Sequence, residues 1–357
     1  MHRVSTKTQT LNFFTESVFE RHTMNFWLQK MNPLWSTYQM LGRICKREKV
    51  ADDIFTLTLE CNKRMQFGLS GQHHPVIVEI AGRRYERTYS LTQIDDRHVQ
   101  LTLKQVPNGI VSTWLCQTAK INDVIEFGVP YGDMLLDAPN LNDVVLLAAG
   151  SGITPMYSML YALEKKGLLA KLNIHLMYWA KHQEGVAFKK VFEQWAEKYP
   201  LFKLDILCTQ DNQTPAQRLN ETHVSNIEQL ETKTVFACGP SGFVNTAAQL
   251  FQDAKVFKSE AFSLTPVENN EEGTVKLTLT RSNKIVEVQK GQGLLDALEQ
   301  AQIKPIYGCR MGICNKCACN KVSGVTKNTI DQSENAEPNN SVRICVNSAK
   351  SDLVLDL

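Results

Sequence analysis

Four cysteines near the C-terminus have the type and spacing of metal ligands. Cys309, Cys314 and Cys317 form a C-x4-C-x2-C group, and Cys345 follows after 27 further residues. This spacing is typical of a plant-type 2Fe–2S cluster, in which four thiolates hold two irons and two sulfides. The alternative is a structural zinc site, but such sites usually pair two C-x2-C units. The spacing therefore predicts an iron–sulfur cluster that handles electrons one at a time.

A second group of residues suits a flavin. Arg87-Thr88-Tyr89-Ser90 offers a guanidinium for a phosphate, a ring that can pack along an isoalloxazine, and a hydroxyl that can reach flavin N5. Further along, Gly109-Ile110-Val111-Ser112 would open a short helix and present backbone amides and a hydroxyl to a pyrophosphate. Taken alone, the first motif could also be a surface strand that happens to carry an arginine.

A third group indicates a nucleotide site at a sheet edge. Gly150-Ser151-Gly152-Ile153-Thr154-Pro155 lies between a predicted buried strand and a predicted helix, where open α/β sheets bind phosphate. It lacks the third glycine of G-x-G-x-x-G, so the motif alone does not establish such a site. Cys238-Gly239-Pro240 follows the last predicted parallel strand, and we expect Cys238 to contact a bound nicotinamide. A buried structural thiol is the alternative interpretation of this cysteine.

The predicted secondary structure that must position these groups differs between the two halves of the chain. Residues 43–145 have short alternating apolar runs, which indicate β-strands. From residue 143 onward, buried strands alternate with helix-like segments, which predicts βαβ units and a parallel sheet. The polar segment 265–273 is a linker candidate, and a hairpin, a helix and the cysteine loop are predicted after it. Within residues 11–40, Pro33 should break any single helix.

Composition narrows the class of protein. The chain has 357 residues, 43% of them apolar and 21% charged, which predicts a soluble protein of several domains. Its net charge of +2 argues against general nucleic-acid binding. No apolar stretch approaches the roughly 20 residues of a membrane span, and the first residues lack the apolar region of a signal peptide. Thiolate ligands favour the reducing cytosol, so we expect a cytoplasmic protein without a transmembrane segment.

Taken in order, these motifs resemble those of the ferredoxin–NADP reductase superfamily fused to a C-terminal plant-type ferredoxin. The matching segments are RTYS (87–90), GIVS (109–112), PYGD (130–133), GSGITP (150–155), CGP (238–240) and CRMGICNKC (309–317), completed by Cys345. The resemblance implies a multidomain α/β plus β protein: an antiparallel flavin-binding barrel, a parallel-sheet nucleotide-binding domain and a β-grasp ferredoxin-like domain. It predicts an N-terminal aromatic and basic extension (1–38), a FAD-binding barrel (39–140), an NAD(P)-binding domain (141–264), a linker (265–273) and a 2Fe–2S domain (274–357).

The resemblance also implies roles for individual residues. The predicted catalytic residues are Ser90, Cys238 and Glu260. The predicted cofactor-binding residues are Arg87, Thr88, Tyr89, Ser90, Gly109, Ser112, Gly150, Gly152, Thr154, Pro155, Cys238, Gly239, Pro240 and Phe262, and the predicted metal ligands are Cys309, Cys314, Cys317 and Cys345. FAD is favoured over FMN because GIVSTWL resembles the pyrophosphate-binding element of the FAD members. Lys181 and Arg218 lean the nucleotide preference toward NADPH, although Glu184 offers an acid that would suit NADH.

The implied function is a reductase that passes electrons from NAD(P)H through FAD and the cluster to an oxygenase, a hydroxylase or a fatty-acid desaturase. The alternatives are a reductase for another enzyme class, such as a deoxysugar dehydratase, and a non-catalytic redox sensor. Residues 11–40 hold seven aromatic residues and are followed by the basic segment 43–49, so they could dock on a partner or a membrane, or pack on the flavin barrel. We expect a membrane-bound diiron desaturase or hydroxylase as the acceptor, with the reductase peripheral at the membrane.

Overall fold

The structure is a computed structural model that describes residues 21–136, 142–210, 218–263, 273–312, 315–330 and 332–357. The first described element is helix α1 (Arg21–Met31), which ends shortly before Pro33, as predicted. The first ten residues of the predicted aromatic segment (11–40) lie outside the described residues.

Six antiparallel strands then form a closed barrel in the order β1-β2-β5-β4-β3-β6. They are β1 (Met40–Ala51), β2 (Ile54–Cys61), β3 (His73–Ile80), β4 (Arg83–Gln93), β5 (His98–Lys104) and β6 (Val124–Phe127). Alternate side chains of these strands fill the barrel, as the alternating apolar residues predicted: Leu57, Leu59 and Leu101 are fully buried. The short helix α2 (Ile110–Thr113) buries Val111 in the same core, which places the 109–112 turn beside β4.

A five-stranded sheet follows, with all neighbouring strands parallel and in the order β11-β10-β7-β8-β9. The strands are β7 (Asp143–Ala149), β8 (Asn173–Ala180), β9 (Phe202–Cys208), β10 (Thr234–Pro240) and β11 (Val256–Ser263). The helices between them are α3 (Ile153–Lys165), α4 (Lys189–Lys198), α5 (Glu221–Ser225) and α6 (Ser241–Leu250). Strand order reverses between β7 and β10, and open α/β sheets bind ligands at the carboxyl end of such a point.

The C-terminal module has a mixed sheet in the order β13-β12-β19-β14-β17, a small sheet β16-β15-β18, and the α-helix α7 (Leu294–Gln300). Its strands are β12 (Thr274–Leu279), β13 (Lys284–Gln289), β14 (Ala318–Ser323), β15 (Thr326–Asn328), β16 (Glu334–Asn335), β17 (Asn340–Arg343), β18 (Asn347–Ala349) and β19 (Leu353–Leu355). The predicted hairpin is β12–β13, and Leu294 and Leu298 of α7 pack into the core with the cysteine loop.

The predicted fold class is therefore confirmed: a barrel, a parallel sheet and a ferredoxin-like module follow one another along the chain. The exact domain boundaries stay predictions. Residues 137–141 and 264–272, which contain two of those boundaries, lie outside the described residues.

Candidate active site

A central cavity of about 820 Å³ lies where the three modules meet. Its volume is within the range of cofactor sites in proteins. Residues of the barrel, of the parallel sheet and of the ferredoxin-like module all line it. From the barrel and the sheet come Arg87, Thr88, Tyr89, Ser90, Asn108, Gly109, Ser112, Gly150, Ser151, Thr154, Pro240 and Phe262, and from the third module come Leu295, Asp296, Cys309, Arg310, Met311 and Cys345.

The cavity thus collects most, but not all, of the predicted cofactor residues. Gly152, Pro155, Cys238, Gly239 and Glu260 are not among the residues that line it. The individual roles of all of these residues stay predictions. Residues of the third module in the wall, such as Arg310 and Met311, were not expected from the sequence.

The barrel side of the cavity is built on the middle of β4. Thr88 Oγ1 lies 2.8 Å from the Tyr131 hydroxyl, which joins the RTYS strand to the 130–133 turn. The 109–112 turn is tightly folded, since the Ser112 hydroxyl accepts a hydrogen bond from Val106 N at 3.1 Å. A Cβ on Gly109 would lie 2.5 Å from Ser112 Oγ, so glycine is needed for this close approach.

A hydrogen-bonded chain of three side chains begins at Ser90 in the cavity wall and leads away from the cavity. His73 Nδ1 lies 2.9 Å from Ser90 Oγ, and His73 Nε2 contacts Glu260 Oε2. His73 and Ser90 are both buried, and the Glu260 side chain is 10% exposed. Phe262 packs edge-on against the imidazole, with 5.7 Å between the ring centroids. The arrangement can hold a proton and pass it between the cavity wall and Glu260.

The backbone conformation of the 130–133 turn leaves room for these three side chains. Gly132 has φ +116°, which favours glycine, and a Cβ at this position would lie 3.3 Å from Glu260 Oε1. The PYGD turn therefore leaves room for the Glu260 carboxylate. His73 was missed by the sequence analysis, because a histidine pair at the start of a strand has no distinctive spacing. Its pairing with Ser90 across β3 and β4 appears only in the folded barrel.

The GSGITP turn packs directly on the CGP segment. A Cβ on Gly152 would lie 2.0 Å from the carbonyl oxygen of Cys238, so only glycine allows this contact. Cys238 is fully buried and pairs in register with Glu260 across β10 and β11. Burial, reinforced by the Glu260 carboxylate, raises the pKa of the Cys238 thiol well above its ordinary value. Cys238 is thus a neutral thiol at physiological pH.

A second cavity of about 920 Å³ adjoins the first at the carboxyl edge of the parallel sheet. Gly150 and Pro240 line both cavities, so the two are neighbours across the point where strand order reverses. Lys181, Glu184 and Arg218 line the second cavity, as do Trp179 and Thr209. This is the place where an open α/β sheet binds a nucleotide.

The cysteine loop lies against the central cavity. Cys309, Cys317 and Cys345 are buried, whereas Cys314 lies outside the described residues. Cys317 and Cys345 are not disulfide-bonded, and their sulfurs are 3.1 Å apart. The hydrogen bond between them lowers the pKa of the Cys317 thiol and raises that of the Cys345 thiol, so the two sulfurs share one proton as a coupled pair. Without Cys314, no group of three potential ligands is complete among the described residues.

Comparison with known proteins extends these observations over nearly the whole chain. Residues 42–135 match the oxidoreductase FAD-binding domain, residues 146–249 the oxidoreductase NAD-binding domain, and residues 277–349 the 2Fe–2S iron-sulfur cluster binding domain. An NADPH oxidoreductase of Mycobacterium tuberculosis is 30% identical over 342 residues, which cover 93% of this chain and 88% of that protein. The chain belongs to the ferredoxin–NADP reductase superfamily, in the group with a C-terminal 2Fe–2S domain.

Two further comparisons concern phthalate dioxygenase reductase. The protein from Burkholderia cepacia is 27% identical over 327 residues, covering 88% of this chain and 96% of the relative. A solved structure of a phthalate dioxygenase reductase aligns with a TM-score of 0.64 at 25% identity, covering 89% of this chain and 98% of the other. The order of the three modules is thus that of a known reductase of this superfamily.

This superfamily member is an NAD(P)H-dependent oxidoreductase that uses FAD and a 2Fe–2S cluster. The residues fit these groups: the central cavity has the size of a cofactor site, Cys309 and Cys345 line it, and the buried Cys317 contacts the sulfur of Cys345. Among the described residues, no helix is long and apolar enough to cross a membrane.

Proposed function

We propose that this reductase takes a hydride from NAD(P)H and delivers single electrons to a separate oxygenase, hydroxylase or fatty-acid desaturase. The observation that carries the proposal is that Ser90 and the cluster cysteines Cys309 and Cys345 line one cavity. A flavin in that cavity would adjoin both the hydride donor and the cluster. Glycine betaine monooxygenase reductase subunits and ketosteroid monooxygenase reductase components are among its relatives, which supports an oxygenase-type acceptor.

Bound flavin would accept two electrons together as hydride and release them singly to the cluster. The chain's own residues orient the reactants and manage the proton. Arg87 is proposed to hold a flavin phosphate, and Gly109 and Ser112 to hold the pyrophosphate. Ser90 is proposed to exchange a proton through His73 with Glu260, since these side chains form one hydrogen-bonded chain. The buried Cys238 and the partly buried Phe262 are proposed to shape the place where nicotinamide meets flavin.

The nucleotide is proposed to be NADPH rather than NADH. Lys181 and Arg218 both line the second cavity and are exposed, so their charges can reach a 2′-phosphate. Glu184, in the same cavity, would repel that phosphate, whereas the other two acids of the cavity are paired, Asp52 with Lys49 and Asp53 with Lys104. The preference is therefore expected to be modest.

The finer proposal is a membrane-bound diiron desaturase or hydroxylase as the acceptor, with the reductase peripheral at the membrane. It is supported by the exposed apolar patch, which we define as Phe26, Trp27, Met31, Trp35 and Tyr38. Their exposed fractions are 54%, 64%, 75%, 48% and 42%, respectively. If this segment served only as an extra layer on the barrel, these side chains would be covered.

Polar contacts hold the segment in place without burying its aromatic residues. The side chain of Asn25 is 3% exposed and accepts a hydrogen bond from Thr37 N at 2.8 Å. Gln39 Nε2 donates to Glu126 Oε2 of the barrel at 2.8 Å. An anchored segment with outward aromatic side chains and Lys30 beside them has the composition of an interfacial docking surface.

The test is to replace exposed side chains of the patch and to measure two activities. In the triple variant Trp27→Ser/Met31→Ser/Trp35→Ser, we expect NADPH:cytochrome c reduction to persist. Turnover coupled to a membrane-bound diiron desaturase, and co-sedimentation with phosphatidylglycerol vesicles, should both fall about tenfold. Ile285→Ser, which changes another exposed apolar side chain, is the control and should affect neither.

Deletion of residues 1–36 provides a second arm. If cytochrome c reduction survives while desaturase-coupled turnover falls, docking is supported. If both activities collapse with loss of flavin, the segment stabilises the barrel and the docking proposal fails. Coupled turnover at the wild-type level in the triple variant would also refute it.

A further inference from the structure

An ion pair joins the cluster-binding loop to the flavin barrel. Lys316, between the predicted ligands Cys314 and Cys317, contacts Glu86 Oε2 through its Nζ atom. Glu86 precedes Arg87 on β4, and 230 positions separate the two residues of the pair along the chain. The side chain of Glu86 is 11% exposed and that of Lys316 is 45% exposed. The contact therefore combines a largely buried carboxylate with a cation that approaches it from the other module.

A second contact between the two modules is made by an aromatic ring and two guanidinium groups. Tyr307 of the third module has Arg310 over one part of its ring at 4.5 Å from the centroid and Arg87 at 5.7 Å. Both distances are within the range of cation–π attraction. Arg310 is itself held by Glu299, with Nη2 to Oε2 at 2.5 Å. Arg87 thus contacts the third module from the same strand segment that carries Glu86.

Because Glu86 is largely buried, the loss of its ion pair with Lys316 would be costly. Its Oε1 atom is buried and has no hydrogen-bond partner among the residues that the structure describes. A carboxylate in this state depends on its remaining partner, because removal of that partner leaves an uncompensated buried charge. Exposed ion pairs contribute little, but this pair is shielded on the carboxylate side. Separation of the two modules at this point is therefore unfavourable.

We propose that the Glu86–Lys316 ion pair, together with the contacts of Tyr307 with Arg87 and Arg310, positions the cluster for electron transfer from the flavin. In this step one electron leaves the reduced flavin and reduces one ferric iron of the cluster, with NAD(P)H as the source and no bond made or broken. Glu86, Lys316 and Tyr307 are positioning residues, since they act through the relative placement of two cofactors. The proposal is independent of which acceptor receives the electrons.

Stopped-flow absorbance of the holoenzyme measures flavin reduction and cluster reduction as separate steps. In Lys316→Met and Glu86→Gln, we expect flavin reduction by NADPH at the wild-type rate and cluster reduction slowed about tenfold or more, because small displacements of reacting groups cost large factors in rate. The charge swap Glu86→Lys/Lys316→Glu should recover most of the loss. Tyr307→Phe should retain the rate and Tyr307→Leu should lose it, since only the former keeps the aromatic face. Lys304→Met, an exposed lysine of the same module, is the control.

Chemical cross-linking tests the Glu86–Lys316 contact directly, independently of the kinetics. A zero-length carbodiimide should cross-link Lys316 to Glu86 in the holoenzyme, detected as one peptide pair by mass spectrometry, and high salt should reduce its yield. Redox titration of each variant shows whether the cluster potential has changed. Glu86→Gln leaves the cluster loop intact, so it remains decisive if Lys316→Met loses iron. Wild-type cluster reduction in Glu86→Gln, or no cross-link in the wild-type protein, would overturn the proposal.

Discussion

His73 Nδ1 lies 2.9 Å from Ser90 Oγ, and the same imidazole contacts Glu260 through its other ring nitrogen. The first two residues pair across neighbouring strands of the barrel, whereas Glu260 comes from the last strand of the parallel sheet. One histidine therefore joins the flavin-binding and nucleotide-binding modules at the place where hydride transfer is proposed. Its two nitrogens connect a hydroxyl at the cavity wall with the Glu260 carboxylate.

Loss of this connection should slow hydride transfer. His73→Phe keeps a ring of similar shape but removes both hydrogen bonds, so we expect flavin reduction by NADPH to slow about 100-fold, the lower end of general acid–base effects. Flavin content should be unchanged. Stopped-flow absorbance measures the rate, and His98→Phe on β5 serves as the control. An unaltered rate in His73→Phe would show that the proton reaches solvent by another route.

The cluster should be separable from the flavin. We expect about two irons and one flavin per chain. Cys314→Ser should lose the cluster and cytochrome c reduction, but keep the flavin and ferricyanide reduction, which the flavin performs directly. Cys319→Ser is the matched control, because burial raises the pKa of the Cys319 thiol to about 12 and the residue lies outside the ligand spacing. Zinc without acid-labile sulfide in anaerobically prepared protein would contradict the iron–sulfur assignment.

Cys238→Ala should slow flavin reduction several-fold without release of the flavin. The thiol is buried in register with Glu260, so its removal changes the packing where nicotinamide is expected to bind. The rate of flavin reduction and the flavin-to-protein ratio are measured together. Cys61→Ala removes a comparably buried thiol from the barrel and is the control. Release of flavin from Cys238→Ala would place this cysteine in the flavin site instead.

Nucleotide preference should depend on the two cations of the second cavity. We expect Lys181→Gln/Arg218→Gln to lower kcat/KM for NADPH by about tenfold to 100-fold, since a hydrogen bond to a charged group contributes about 1.5–3 kcal/mol. The value for NADH should change little. Steady-state kinetics with both nucleotides give the ratio, and Lys190→Met, outside this cavity, is the control. Equal losses with both nucleotides would mean that these cations bind a part that the nucleotides share.

The barrel should lose stability in mild acid because of His74. Burial lowers the pKa of His74 to about 4, below the 6.5 of the unfolded chain. Between these values the unfolded state binds more protons, so the free energy of unfolding should fall as pH drops from 6.5 to 4, by up to about 3 kcal/mol. His74→Gln, which can still donate to Gln66 O, should flatten this dependence. Urea titrations followed by flavin fluorescence measure it, with the exposed His182→Gln as the control, and an unchanged slope would refute the assignment.

Much of this protein could be predicted from local patterns. The cysteine spacing predicted the cluster, because ligand geometry restricts the loop that binds a metal. Alternation at Leu57 and Leu59 predicted barrel strands, because a side-chain period of two matches a sheet with one buried face. The place of the Gly150 turn followed from the strand before it and the helix after it.

Other features required the tertiary structure. The sequence by itself determined the cofactor set and the order of the modules, since motifs of this kind depend on neighbours along the chain. Only the folded chain brought His73 between Ser90 and Glu260, and only it paired Glu86 with Lys316 across 230 positions. It also left Trp27 and Met31 exposed, where the sequence allowed either docking or packing. The physical reason is the same in each case: hydrogen bonds, ion pairs and exposure depend on distances in space, and strand pairing and module contact set those distances between residues remote in sequence.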